Sequence, residues 1–204
     1  MTSKYTAADY AFQFITVTAG VLIALFINEL VVWKQNADLV TEARAMIQRE
    51  IADNKKDLDA TVAGFPRDRE AMDASIAFAT DMLAAGKTAI TSIQLHYNMA
   101  DLSDTSWRTA ERTGALSHMD YGEVQRLSKL YDFQELFVQQ QRAILSQLTL
   151  ASSMLQGSFN PDKPNLKDLE TFRGRVMELR AAIGIQEDFA KRLAENYAEA
   201  LKRQ

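Results

Sequence analysis

An all-α chain, one membrane-length helix running into an antiparallel helical bundle, is predicted by three observations. Residues 11–33 form an apolar run whose centre, 14–27, carries no charge. Apolar positions after it recur three and four residues apart, the period of a helix face. Prolines number only three, and the chain shows no convincing β alternation.

The first element follows from length. A run of this size, wound as a helix, crosses a hydrocarbon core of about 30 Å. A cleaved secretory signal is the competing reading, but no small-x-small cleavage site precedes a mature start. The helical pattern instead continues past Trp33. The expected organisation is therefore a polar tail over residues 1–10, a transmembrane helix over 11–33 and a helical bundle domain over 34–204.

In the bundle, Leu39, Ala43, Met46, Ile47, Ile51, Leu58 and Val62 share one helical face. No glycine or proline lies between Gly20 and Gly64, so the anchor and the first bundle helix are expected to form one rod. Gly64-Phe65-Pro66 is expected to end it, with Pro66 in the first turn of a second, antiparallel helix that stops near Gly86. Residues 88–99 read as a short helix. Ser103-Asp104 is positioned to cap another, which carries Trp107 and ends at Gly114. Asp120 with Glu123 three residues on resembles a capping box opening a long helix to Gly157. Residues 158–164 hold two of the three prolines and read as a turn. Asn165 is placed to cap a last helix through Leu201, weakened locally by Gly174 and Gly184.

Composition narrows the function classes. With 47% apolar and 25% charged residues the chain is no disordered tail. A net charge of −4 with acids and bases interspersed supplies no basic stripe, so nucleic acid is not an expected partner. Cysteine is absent, which removes disulfides and thiolate chemistry. His96 and His118 fall in separate predicted elements without metal-ligand spacing, so no metal and no cofactor is expected. No nucleophile elbow, phosphate loop or dinucleotide fingerprint occurs, and Gly86-Lys87-Thr88 lacks the upstream glycine of a P-loop. An enzyme is not expected.

Three groups of residues remain. Thr16, Gly20, Ala24 and Asn28, four apart, line one stripe of the anchor, where small residues allow close helix approach and polar ones bond across it. The alternative is that Gly and Ala are simply frequent in membrane spans. Glu29 precedes apolar Leu30 to Trp33. It reads either as a carboxylate at the headgroup level or as a pairing group inside the boundary. The dense stretch containing Trp107, Met119, Tyr121 and Tyr131 reads as a plug for the end of the bundle, or as an aromatic pocket.

Two segments together, "VTAGVLIALFINELVVWKQ" running into "EARAMIQREIADNKKDL", and "TSWRTAERTGALSHMDYGEVQRLSKLYDFQELF", resemble a broad group of bacterial one-span membrane proteins without an established activity. The pattern rests on Asn28, Glu29, Trp33, Trp107, Gly114, Leu116 and Tyr131. The resemblance implies a helical extramembrane domain on an inner-membrane anchor and transfers no catalytic residue. It also implies a periplasmic domain, whereas Lys34, Arg44 and Arg49 after the span, against Lys4 before it, favour the cytoplasm by a bare count.

The leading expectation is an interaction protein. It would contact the lipid bilayer and, through the 16–28 stripe, a membrane protein partner or its own copy, as an accessory or scaffold subunit. The alternative is a sensory, ligand-binding bundle that signals through a separate partner.

Overall fold

The computed structural model describes residues 7–89, 93–158 and 165–202. It is all-α: α1 (Ala7–Ala85), α2 (Thr105–Arg112), a 3-10 turn (Ala115–His118), α3 (Tyr121–Ser158) and α4 (Leu166–Lys202). The first six residues of the expected tail and the turn-rich loop over 159–164 lie outside the described residues.

α1 is a single helix of 79 residues, about 120 Å long at 1.5 Å per residue. Its first part, from Asp9 to Gln35, has no buried or half-buried residue, and this is the one helix long and apolar enough to cross a membrane among the described residues. Burial begins near Val40.

The expected break at Gly64-Phe65-Pro66 does not occur; α1 runs through Pro66. The reason lies in the seam. Ile47, Ile51, Asn54, Leu58, Thr61, Phe65, Asp68, Met72, Ser75, Ala79 and Met82 are all buried and alternate four and three apart. A stop at Gly64 would throw Phe65, Asp68 and Met72 out of register. Pro66 removes one N–H from the ladder, costing about 3 kcal/mol in an unsupported helix interior. Tertiary packing on both sides carries the helix past it. Gly86, in the left-handed region at φ 64°, ends α1 as expected.

α4 repeats the pattern with Leu169, Phe172, Val176, Leu179, Ile183, Gln186, Ala190, Leu193 and Tyr197. A mean spacing of 3.5 is the coiled-coil period. Pairing of Arg69 with Glu187 and of Asp73 with Arg180 (2.5 Å) sets α4 antiparallel to α1. α3 runs parallel to α1, since Arg44 meets Glu123 and Asn54 meets Gln134. The close helix packings are α1 on α4 and α3 on α4.

Between α1 and α3 lies the element that corrects the second expectation. Residues 88–89 and 93–99 are not helical; from 93 to 104 the chain is an irregular strap. It returns antiparallel to α1: Asp68 takes the amide of Asn98 (2.9 Å), Asp57 that of Asp101 (2.6 Å) and Asn54 that of Ser103 (2.8 Å). The strap crosses so close to α1 that a Cβ on Gly64 would sit 2.7 Å from Asn98 Nδ2 and 3.3 Å from its Cβ. Gly64 is thus a point of close approach, not a helix end. Gly64→Leu is expected to lower stability by about 1–3 kcal/mol, measured as a lower urea midpoint of the full chain in detergent; an unchanged midpoint would show that the strap yields freely.

The remaining caps follow the sequence. Asp120 Oδ1 accepts the Glu123 amide (2.9 Å), and Asn165 Oδ1 accepts that of Lys167 (3.1 Å). Gly114, at φ 79°, turns the chain after α2.

Candidate functional site

Polar residues hold the strap in place. A strap with no sheet partner must find side-chain partners for its buried amides and carbonyls. Gln141 supplies both halves at one residue: Ala100 N–H donates to its Oε1 (3.0 Å) and its Nε2 donates to the Ala100 carbonyl (2.7 Å). Asn54 does the same at Ser103, with Nδ2 donating to the carbonyl at 2.6 Å, joined by Gln134 Nε2 at 2.9 Å. Asp68, fully buried, takes the Asn98 amide and His96 Nδ1 (2.6 Å). The two-way amides act as single rungs of a ladder between helix side chains and strap backbone.

At the span-proximal end the strap enters α2, and Glu50 organises the junction. Its carboxyl oxygens accept from Ser103 Oγ (2.9 Å), the Ser106 amide (2.8 Å), the Trp107 amide (3.4 Å) and Tyr131 Oη (2.8 Å). The Asp104 side chain makes no capping bond; α1 caps α2 from outside, placing an acidic group at the positive end of its helix dipole. Trp107 stacks on Tyr131 with centroids 5.2 Å apart and planes 14° apart. Tyr197 donates to Gln134 (2.7 Å), tying α4 into the same network. Burial first, then the field of Glu50, pushes the hydroxyls of Tyr131 and Tyr197 well above the ordinary tyrosine range.

The structure therefore separates the aromatic group expected from the sequence. Tyr131 and Met119 are buried, while Tyr121 is 81% exposed and belongs to no core. Trp107 and Tyr131 meet face to face, as packing at the bundle end. His96 and His118 lie apart: His96 on Asp68 in the strap, His118 beside Trp33 and Thr41 on α1.

A cavity lies elsewhere, where the last turns of α4 meet α1 and α3. It is a groove of ≈ 740 Å³ whose lining includes Arg44, Ile51, Leu127, Leu130 and Leu201. Arg44 forks onto Glu123 at 2.6 Å and 2.8 Å, and that bond holds the guanidinium even more firmly protonated than usual. Glu123 is thereby turned toward α1, away from the reciprocal half of a capping box.

Thr16, Gly20, Ala24 and Asn28 stay on the exposed part of α1. Thr16 Oγ1 donates back to the Phe12 carbonyl (2.9 Å), and a Cβ on Gly20 would meet nothing within 4 Å. Glu29 is exposed on the same segment.

Sequence reasoning did not single out Glu50, Asn54, Asp68, Gln134 or Gln141. A signal was present: Asn54, Thr61, Asp68 and Ser75 recur every seven residues on a face whose other half is apolar. Comparison with known proteins gives no match to a family model, a curated protein or a solved structure.

Proposed function

We propose that this chain is a membrane-anchored interaction protein of the bacterial inner membrane, an accessory or scaffold subunit of an envelope complex or a self-assembling one. The carrying observation is the apolar first part of α1, which buries nothing within the monomer yet continues without a break into the bundle seam. Such a segment needs lipid or another helix around it. Helical continuity from Ala7 to Ala85 favours a retained anchor over a cleaved signal. The stripe from Thr16 to Asn28 is the assigned packing face, and the periplasmic placement of the bundle rests on the resemblance to one-span proteins.

Gentle purification of the tagged chain from native membranes, with mass spectrometry of what stays bound, tests this reading. A stoichiometric membrane partner or a homo-oligomer supports it, and a bare monomer overturns it. Gly20→Ile with Ala24→Ile is expected to weaken assembly by about tenfold, on the scale of one or two interhelical contacts. An unchanged assembly state in lipid would remove the stripe from the interface.

A further inference from the structure

Very little bare helix separates the apolar run of α1 from the bundle. The run ends at Trp33 and burial in the seam begins at Val40, seven residues on, or about 10 Å of helix. A bilayer with a hydrocarbon core of about 30 Å carries a headgroup layer of about 5–8 Å on each side. With Trp33 at the hydrocarbon edge, most of that interval is headgroup.

Two features bring part of the bundle nearer still. His118, in the 3-10 turn, shares one hollow with Trp33, Asn36, Ala37 and Thr41. The turn therefore reaches back along α1 past the first buried residue, toward the span. α3 starts beside it. Partners on α1 and α3 are offset by 79 residues at Arg44–Glu123 and by 80 at Asn54–Gln134, which sets Tyr121 level with Thr41 or Glu42. Side chains on a helix lean toward its N-terminus, and for α3 that is the direction of the span.

Tyr121 is 81% exposed and Trp33 71%, and neither packs on the bundle core. Both rings have an apolar body and one polar atom, the combination that settles where lipid meets water. Charges beside them in the chain are of both signs, Lys34 and Arg112 against Asp38 and Asp120. The surface thus suits the lipid–water interface itself and not one headgroup charge.

We propose that the base of the bundle rests in the headgroup layer, with the 3-10 turn against the lipid surface and Trp33 and Tyr121 as its interfacial anchors. Anchors on two different helices fix the tilt and rotation of a rod that a single residue leaves free. This inference rests on the reading of the apolar run as a retained membrane anchor.

The chain has no cysteine, so single cysteines carrying a bimane fluorophore test it in the full protein. One chain is placed in each phosphatidylcholine nanodisc, with or without lipid bearing a nitroxide on its headgroup, and quenching is measured. Lys34→Cys reports the end of the span, and Ser117→Cys and His118→Cys report the base. Glu135→Cys, exposed on α3 about 21 Å beyond Tyr121, is the control. The expected result is strong quenching at positions 34, 117 and 118 and none at 135. Trp33→Ala with Tyr121→Ala, both at exposed positions, should lower quenching at 117 by about half while that at 34 persists. Quenching at 34 without quenching at 117 and 118 would overturn the proposal and leave the anchor standing. No quenching at 34 either would overturn the anchor reading itself. Equal quenching at 135, or quenching at 117 indifferent to the double substitution, would also overturn the proposal.

Discussion

Replacing Glu50 by alanine is expected to cost about 3–5 kcal/mol, the largest single-site loss in the bundle outside its apolar core. Four donors converge on this one carboxyl group. Hydrogen bonds to charged groups contribute about 1.5–3 kcal/mol each, and leaving a buried donor without an acceptor costs about 1–3 kcal/mol. The four are not additive, because water can enter once the side chain is gone, so the expected loss is well below their sum. The change should also be local in kind. α2 loses its only cap at the Ser106 and Trp107 amides, the Trp107–Tyr131 stack loses its anchor, and the strap loses Ser103. Glu50→Gln keeps two of the four acceptor sites and should fall between. Urea unfolding of the full chain in detergent, followed by tryptophan fluorescence, measures both. The second tryptophan, Trp33, sits on the exposed part of α1 and supplies a constant background. An alanine variant within about 1 kcal/mol of the parent, the value of an ordinary hydrogen bond, would show that the junction is held by apolar packing alone.

What was legible in the sequence, and what was not, divides along one physical line. Apolar periodicity located α3 and α4 and their caps because those helices bury a stripe against other helices, and a stripe leaves a mark in the sequence. The strap leaves a different and shorter mark: Ile93, Leu95 and Tyr97 pack on the core and alternate with exposed Gln94 and His96, a period of two rather than a helical stripe. Its backbone finds its partners in side chains far away in the chain, at Asn54, Asp68, Gln134 and Gln141. Those partners show a pattern of their own: Asn54, Thr61, Asp68 and Ser75 on α1, and Gln134 and Gln141 on α3, are buried polar residues seven apart on otherwise apolar faces. Buried polar side chains at that spacing mean that groups able to hydrogen-bond lie across the helix. The break expected at Gly64-Phe65-Pro66 failed for the same reason. Gly64 is small because the strap passes over it, and Pro66 is tolerated because Phe65 and Met72 keep the phase set by Ile51 and Leu58. A true helix end would have reset that phase. The groove was illegible too, since its lining comes from α1, α3 and α4 and meets only in three dimensions. Tyr121 illustrates the opposite error: an aromatic beside other aromatics in sequence, it points away from the core because it opens α3 on the outer side.

The same network predicts an alkaline limit to stability. Tyr131 and Tyr197 are buried, and burial raises the proton affinity of both hydroxyls, with Glu50 adding to the effect. The folded chain therefore keeps protons that the unfolded chain releases near the ordinary tyrosine value of about 10. Below that value the two states bind the same protons and the stabilisation is fully present. Above it, the unfolded state gains free energy by ionising while the folded state cannot, so stability drains as pH rises. Each tyrosine contributes a slope that approaches about 1.4 kcal/mol per pH unit above this value, so by about pH 11 the pair should have removed about 3 kcal/mol relative to neutral pH. That is a large share of the roughly 5–15 kcal/mol typical of a domain. Lysines titrate in the same range, and the phenylalanine variants separate the causes. Tyr97, raised by burial as well, adds a share of its own, so Tyr131→Phe or Tyr197→Phe should lower stability modestly at neutral pH, through one lost hydrogen bond, yet flatten the tyrosine part of the alkaline slope by about a third. Urea midpoints measured from about pH 8 to about pH 11, with tyrosinate absorbance followed in parallel, read both quantities. Tyrosinate absorbance rising before the bundle unfolds, or a slope unchanged in both variants, would mean that these hydroxyls ionise in place and that the Glu50 junction admits water. A slope reduced by about a third by each substitution would locate most of the alkaline transition at the contact where α1, α3 and α4 are tied together.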